Sequence, residues 1–238
     1  MKHNSGDRDL DAARLWAGLS HDLRQPIQSS LLLMHVAART QDPDLLGRTL
    51  GVMEHALLQM QEMVEAIGLL SRLIAGTATP RQQTLVFSDL IAEVEAAIAA
   101  PLVDRKVQLL VRGGDALIEG DRGLLALVLR GFVTMAVLAS ANGEIKITGR
   151  RTGGRTIITC AYHGEPISQG MRQAYFREMP LRAGELPSGG IVPGLAFIEQ
   201  LASAMGWDVS TSSGAKGTHS LILSQDIGII ASRKRSDS

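Results

Sequence analysis

Cysteine and aromatic residues are scarce in this chain of 238 residues, which has one cysteine and an aromatic content of 3%. The single cysteine, Cys160, excludes an intramolecular disulfide and a zinc site made of several cysteines. It lies in the apolar run TIITCAY, where we expect a buried structural thiol. The hydrophobic content of 45% supports a core, which must be packed mainly from the aliphatic side chains of helices and sheets.

Net charge is also absent, because 24 lysines and arginines balance 24 aspartates and glutamates. Such a chain gives no reason to expect a nucleic-acid partner or an anionic membrane surface. No uninterrupted apolar run reaches 18 residues, and the N-terminal stretch MKHNSGDRDLDAARL lacks the apolar centre of a signal peptide. We therefore expect a soluble, cytoplasmic protein with neither a nucleic-acid nor a membrane partner.

A heptad pattern dominates the first third of the chain. Between Pro43 and Ile74 the apolar residues follow one another in alternating steps of four and three, and the turn-like ARTQDPD separates them from an upstream helix of similar rhythm. One antiparallel hairpin cannot bury this seam, so we expect a homodimer in the form of a four-helix bundle. Packing of the seam on the rest of the same chain is the alternative. The seam residues are Leu46, Leu50, Met53, Leu57, Met60, Val64 and Ile67.

Short strands alternate with helices beyond the linker-like stretch AGTATPRQQ. Ser88 is expected to cap the helix SDLIAEVEAAIAA, and GEIKITGRR with GRTIITCAY should form a β-hairpin. The sequence therefore predicts an α+β fold with a helical hairpin followed by an α/β sandwich on a mixed sheet. The expected boundaries are a flexible N-terminus (1–8), the hairpin (9–75), a linker (76–83), the second domain (84–226) and a C-terminal tail (227–238).

The stretch GLSHDLRQPIQSS, residues 18–30, places a histidine beside an acid and a proline inside a helix. Proline in a helix interior costs about 3 kcal/mol, so this turn should have a function. His21 is one step off the seam and should point outward, with Gln25 one turn further on the same face. The neighbouring carboxylate of Asp22 can hold the imidazole in one tautomer, and the amide of Gln25 can position a water or a phosphoryl oxygen.

The string SHDLRQP resembles the phosphoacceptor box of sensor histidine kinases, which reads histidine, acid, two residues, a small polar residue or glutamine, then proline. The resemblance extends over roughly residues 9 to 226. It implies that His21 carries a phosphoryl group on a ring nitrogen, that Asp22 acts as the base, and that Gln25 assists hydrolysis or transfer. The other histidines have no such neighbours, and we interpret those within the predicted domains as structural.

The second domain resembles the ATP-binding domain of the same family but departs from it where that family binds nucleotide. In LRGFVTMA, Gly131 and Met135 occupy the positions of the family's two asparagines, and a thioether cannot replace an oxygen ligand of magnesium. In YHGEPI, Tyr162 replaces the acid that binds adenine and Pro166 replaces the second glycine, while Gly164 is retained.

The glycine-rich turn of that family is half present in GGIVPGLAFIEQLA, which retains Gly190 and Gly194. The following helix N-terminus is compatible with an anion and equally with an ordinary loop-to-helix turn. The aromatic pair in AYF, residues 174 to 176, resembles the aromatic box of the lid segment, and we interpret it as packing.

From these observations we expect a histidine phosphotransfer protein with a degenerate ATP-binding domain, no cofactor and no metal. Its partner would be the receiver domain of a response regulator, with a hybrid histidine kinase as a further possible partner. Phosphoryl transfer from ATP depends on the metal, so ATP-dependent autophosphorylation is the alternative, followed by a pseudokinase scaffold without phosphate chemistry. The intact HDLRQP argues against a mere scaffold.

Overall fold

The computed structural model describes residues 5–178, 191–214 and 217–226. The chain divides into two compact units, the first made of residues up to Leu69 together with Gln173–Phe197, and the second of Leu70–Arg172 together with residues from Ile198 onward. The sequence prediction of an α+β fold, with a helical hairpin preceding a mixed sheet, is confirmed.

The hairpin consists of α1 (Ser5–Ala37) and α2 (Pro43–Ile74). The side chain of Asp42 accepts hydrogen bonds from the backbone N–H groups of Asp44 and Leu45, at 2.9 and 3.3 Å, which are two of the N–H groups left unpaired at a helix start. Proline is well suited to the first helical position, so the DPD turn directs the chain into α2. In contrast, α1 continues through Pro26.

The predicted heptad seam is divided between two environments within one copy of the chain. Leu50, Leu57 and Val64, which are seven residues apart, are exposed at 50%, 57% and 57%. The neighbouring rows of α2 are buried instead, for example at Thr49 and Met63. The other row of the predicted seam, which ends at Ile67, is half-buried to buried, so the face toward the chain's own core is rotated away from the centre of the seam and one apolar row remains uncovered. The exposed large apolar residues of the hairpin are Ile27, Leu31, Leu32, Met34, Val36, Leu50, Leu57, Leu58, Val64 and Ile74.

The second unit is built on a five-stranded mixed sheet. Its strands are β2 (Gln108–Arg112), β4 (Ser140–Thr152), β5 (Arg155–Gly164), β8 (Asp208–Ser213) and β9 (Thr218–Asp226). They are arranged in the order β2-β4-β5-β9-β8, with β2 parallel to β4 and the other neighbours antiparallel.

Helix α5 (Arg122–Ala139) packs on β4 and β5. By length and composition it is the one helix of the described chain that would suit a membrane span, but most of it is buried, as in the core helix of a soluble domain. This burial also explains its apolar composition, because residues on nearly all sides of the helix contact protein. The carboxylate of Asp121 caps the helix by accepting a hydrogen bond from the N–H of Leu124 at 3.1 Å.

Helix α3 (Phe87–Ala97) packs against α5 and directly follows β1 (Gln83–Val86), which pairs with the later strand β3 (Leu117–Gly120) in a two-stranded sheet. The expectation that Ser88 caps this helix is wrong, because α3 begins at Phe87 and its cap, Val86, makes no side-chain hydrogen bond. Tertiary contacts determine where α3 starts. The ring of Phe87 is fully buried, and the backbone N–H of Phe87 donates to the carbonyl of Ala116.

The sequence did not predict, or predicted only in part, four further short elements, namely two helices and two strands. Helices α4 (Ala99–Asp104) and α6 (Gln169–Gln173) are each shorter than two turns, and β6 (Phe176–Glu178) pairs with β7 (Ile191–Pro193) in a small antiparallel sheet of the first unit. Helix α7 (Leu195–Ala204) follows where GLAFIEQLASAM predicted a helix. Cys160 is fully buried, as expected, and burial raises the pKa of its thiol to about 12.

Candidate functional site

The stretch HDLRQP lies in the middle of α1. Gly18, His21, Asp22 and Gln25 follow one another in steps of three, one and three, which places them on one face of the helix. Gln25 is exposed and Asp22 is half-buried. The side chain of His21 lies outside the described side chains, so its predicted outward direction and the roles assigned to His21, Asp22 and Gln25 stay predictions. Proline at position 26 has no N–H to donate to the carbonyl of residue 22.

The carboxylate of Asp22 holds a distant part of its own unit. Its Oδ2 accepts hydrogen bonds from the backbone N–H groups of Tyr175 and Phe176, both at 2.9 Å. Hydrogen bonds to an ionised acceptor are about twice as strong as neutral ones, and a pair of consecutive amides fixes the direction of the segment. Asp22, which follows His21 in the sequence, therefore also contacts the start of β6.

Gly18 completes this contact one turn earlier on α1. A Cβ at this position would lie 2.5 Å from the Cδ2 and Cε2 atoms of the Tyr175 ring, well inside van der Waals contact. The ring therefore occupies the space that any larger residue at position 18 would need. Sequence reasoning missed Gly18, although a glycine in a helix interior, where it costs about 1 kcal/mol relative to alanine, was a signal that something packs closely there.

The docked segment is anchored on its other side by the chain that leads into α7. The N–H of Gly194 donates to the carbonyl of Tyr175 at 2.7 Å, and a Cβ on Gly194 would overlap the carbonyl oxygen of Ala174. The rings of Phe176 and Phe197 are 4.7 Å apart between centroids. Gly194 thus has a structural explanation, and its amide is already used by protein. Gly190 lies outside the described residues.

The residues that replace the family's magnesium ligands are packed in the core of the second unit. Gly131 is buried, and the side chain of Met135 is completely inaccessible. Met135 lies on α5 among other fully buried apolar side chains such as Phe132 and Ala136. Its thioether therefore contacts protein, and an oxygen ligand for a metal is absent at this position.

Tyr162, which replaces the adenine-binding acid, is also buried. Its exposed fraction is 2%, and its ring centroid is 5.7 Å from that of His219 on the paired strand. Burial raises the pKa of its phenol to about 12, so the side chain is neutral at physiological pH. A carboxylate that could accept a hydrogen bond from an adenine amino group is thus replaced by a large neutral ring. Gly164 is retained, and its close approach to the carbonyl of Ala139, which leaves no space for a Cβ, explains why a glycine is needed.

The other described histidine rings have partners near them in the fold. On α1, Nδ1 of His35 is 2.7 Å from the carbonyl of Leu31. His163 lies 3.1 Å from the hydroxyl of Thr218, and His219 lies 2.9 Å from that of Ser213. His3 and the side chain of His55 lie outside what the structure describes. Within the described part of the chain, no group of three or more histidine, cysteine, aspartate or glutamate side chains could hold a metal ion.

Comparison with protein families identifies the hairpin. Residues 11–76 match the model of the His Kinase A (phospho-acceptor) domain, which confirms the resemblance to sensor histidine kinases inferred from HDLRQP. Among curated proteins, the chain is 22% identical over 221 residues to the sensor protein KdpD of Mycobacterium tuberculosis. The match covers 88% of this chain and 25% of KdpD, so the chain spans about a quarter of the length of the curated relative it matches.

Solved structures show the same fold in both parts of the chain. The histidine kinase AdeS of Acinetobacter baumannii superposes with a TM-score of 0.61 at 17% identity, covering 86% of this chain and 96% of AdeS. The histidine kinase ThkA, solved in complex with the response regulator protein TrrA, gives a TM-score of 0.61 at 16% identity, covering 92% of this chain and 63% of that one. The order of hairpin and mixed sheet is therefore the fold order found in these two solved structures.

Proposed function

Because the chain joins a His Kinase A phosphoacceptor hairpin to the fold of a histidine kinase ATP-binding domain, we propose that it is a histidine phosphotransfer protein. A receiver domain of a response regulator supplies the phosphoryl group from its aspartyl phosphate. The P–O bond of that acyl phosphate breaks, a P–N bond forms to a ring nitrogen of His21, and Asp22 accepts the ring proton. Transfer to a second receiver reverses these steps.

The observation that carries this proposal is that Met135 and Tyr162 are buried in a chain that retains an intact HDLRQP. Catalysis of phosphoryl transfer from ATP relies on positioning and on neutralisation of charge by magnesium. A buried thioether and a buried neutral phenol supply neither a metal ligand nor an acceptor for adenine. Transfer between histidine and aspartate needs no nucleotide, only an exposed histidine and a surface to which the receiver binds.

The partners of this function are a response regulator and a second copy of the chain. The relative ThkA was solved with a response regulator, and the exposed apolar row of Leu50, Leu57 and Val64 on α2 suits the interface of a four-helix bundle. A hybrid histidine kinase is a suitable source of phosphate. The cytoplasm is the compartment in which we propose that these partners meet the protein.

The second candidate is an autokinase that phosphorylates His21 from ATP, favoured by the fold likeness to the histidine kinase AdeS over 86% of this chain. Incubation with labelled ATP and magnesium, with and without a phosphorylated receiver, separates the candidates. Label from the receiver alone supports phosphotransfer, and label from ATP alone supports the autokinase. No label from either donor leaves a scaffold that binds receivers or kinases without carrying phosphate.

A further inference from the structure

The segment Ala174–Phe176, here called the latch segment, lies on the face of α1 that carries the phosphoacceptor box. Its contacts with α1 begin at Gly18, three residues before His21, and continue at Asp22, the residue after it. Residues three and four apart share one side of a helix. The latch segment therefore spans the helix turn in which His21 lies.

The contact is specific in geometry as well as in place. Two amides converge on a single carboxylate oxygen of Asp22, and the ring of Tyr175 fits a gap that exists only because residue 18 is glycine. A segment that only crossed the helix surface would need neither feature. Both contacts lie inside the first unit of the fold.

Docking of the latch segment has two chemical consequences. The oxygen Oδ2 of Asp22 accepts both hydrogen bonds from the latch segment, so docking holds the carboxylate in one orientation and occupies one of its two oxygens as a proton leaves His21. A receiver domain must bring its aspartyl phosphate to the same face of α1, which the Tyr175 ring and the backbone of Phe176 partly cover. The docked state therefore hinders both proton transfer to Asp22 and approach of the partner.

We propose that the latch segment is an autoinhibitory element that must leave Gly18 and Asp22 before His21 exchanges phosphate with a receiver. This inference rests on the proposed function, because it assigns regulation to the same histidine. The bistable element is Ala174–Phe176, docked or released, and receiver binding favours the released state because both occupy one face of α1. The anchor at Gly194 and Phe197 keeps the segment close to the helix after release.

The substitution Gly18→Ala tests the proposal without altering the latch segment, His21 or Asp22. The added methyl group overlaps the Tyr175 ring and disfavours the docked state, while alanine favours the helix more than glycine does. Gly47→Ala on α2 is the matched control, because a Cβ there meets nothing within 4 Å. Tyr175→Ala is a second releasing variant that removes the ring but retains both backbone N–H donors.

Two measurements are made on these proteins, namely hydrogen exchange of the amides at Tyr175 and Phe176 and the rate at which His21 is loaded by a phosphorylated receiver. We expect both to rise roughly tenfold in Gly18→Ala and in Tyr175→Ala, the scale expected when one overpacked or missing contact shifts a two-state element. Gly47→Ala should behave as the wild type. Faster exchange without faster loading, or unchanged exchange, would overturn the proposal.

Loading by potassium phosphoramidate separates this proposal from the proposed function. This small donor breaks its own P–N bond, releases ammonia and forms a P–N bond to a ring nitrogen of His21, whose proton passes to Asp22, so it tests the effect of the latch segment on proton transfer without a partner protein. If a receiver loads neither the wild type nor the variants, the phosphotransfer function fails. The latch is then judged by phosphoramidate alone, where faster loading of Gly18→Ala than of Gly47→Ala supports it and equal rates contradict it.

Discussion

The carboxylate of Asp22 and the backbone N–H of Tyr175 are 2.9 Å apart although 153 residues separate them in the chain. This hydrogen bond connects the residue that follows His21 to the start of the small β6–β7 sheet. The sequence resemblance assigns Asp22 the role of a base, and the fold gives it a second role as an acceptor for two amides. Both roles use the same carboxylate, so they compete.

Gln25 should affect the lifetime of phosphohistidine and not its formation. Its side chain is exposed on the turn after His21, where an amide can position a water or the incoming aspartate. Gln25→Ala should retain label on His21 and change its half-life, measured by the decay of acid-labile, base-stable label after removal of the donor. Gln28→Ala, also exposed on α1, is the control. Equal half-lives in all three proteins would remove Gln25 from the mechanism.

Leu57→Glu should dissociate the dimer while leaving the chain folded. The leucine is 57% exposed in one copy, so the charge is solvated in a monomer, whereas in the bundle it would be buried without a partner, which costs about 3–5 kcal/mol. Static light scattering at micromolar concentration should give a dimer for the wild type and a monomer for the variant. Val103→Glu, at a position 75% exposed in the second unit, should remain dimeric. A monomeric wild type would contradict the four-helix bundle.

Magnesium-ATP should not stabilise the protein. A ligand present at 1,000 times its dissociation constant raises the free energy of unfolding by about 4 kcal/mol, which for a chain of this size raises the melting temperature by roughly 8–16 °C. Because Met135 and Tyr162 are buried and lack the required oxygen ligands, we expect no shift at millimolar magnesium-ATP in a thermal unfolding scan. An increase of several degrees would show that the nucleotide site is functional.

Stability should fall in alkaline solution partly through Cys160. Burial raises the pKa of its thiol from 9.0 to about 12, so between these values the folded state retains a proton that the unfolded state has lost. The free energy of unfolding therefore decreases as the pH rises from 9 toward 12, by about 1.4 kcal/mol per pH unit from this group. Cys160→Ala should flatten the profile in that interval, measured by urea unfolding. The same slope in both proteins would exclude this thiol as the cause.

Much of the second unit followed from local sequence because its strands are short apolar or β-branched runs bounded by turn residues. In β5, for example, the apolar run TIITCAY indicates a strand, whereas the alternation of burial from Thr156 to Tyr162 depends on the packing of the sheet. The glycine pair Gly153–Gly154 likewise marks the turn between β4 and β5, where both residues have positive φ. The start of α3 could not be predicted in this way, because burial of the Phe87 ring overrides the capping preference of Ser88.

The same distinction between local signals and long-range contacts applies to the candidate site. The box HDLRQP is a local signal, so its position on α1 was evident from the sequence, whereas the pairing of Gly18 and Asp22 with Tyr175 depends on contacts between residues far apart in the chain. Leu50, Leu57 and Val64 belong to the predicted heptad seam and are exposed in one copy of the chain; which row of α2 faces the same chain depends on how α2 is rotated against its neighbours. A shift of one position along the sequence moves a side chain by about 100° around the helix axis.

The most direct test of the account is the transfer of labelled phosphate from a phosphorylated receiver to the wild-type protein, His21→Ala and His35→Ala. His35 is the matched control, because it is an exposed histidine on the same helix, and neither substitution should alter folding or dimer formation. The account predicts acid-labile, base-stable label on the wild type and on His35→Ala, none on His21→Ala, and none on any of them from magnesium-ATP alone. Label that persists on His21→Ala would contradict the assignment of His21 as the phosphoacceptor.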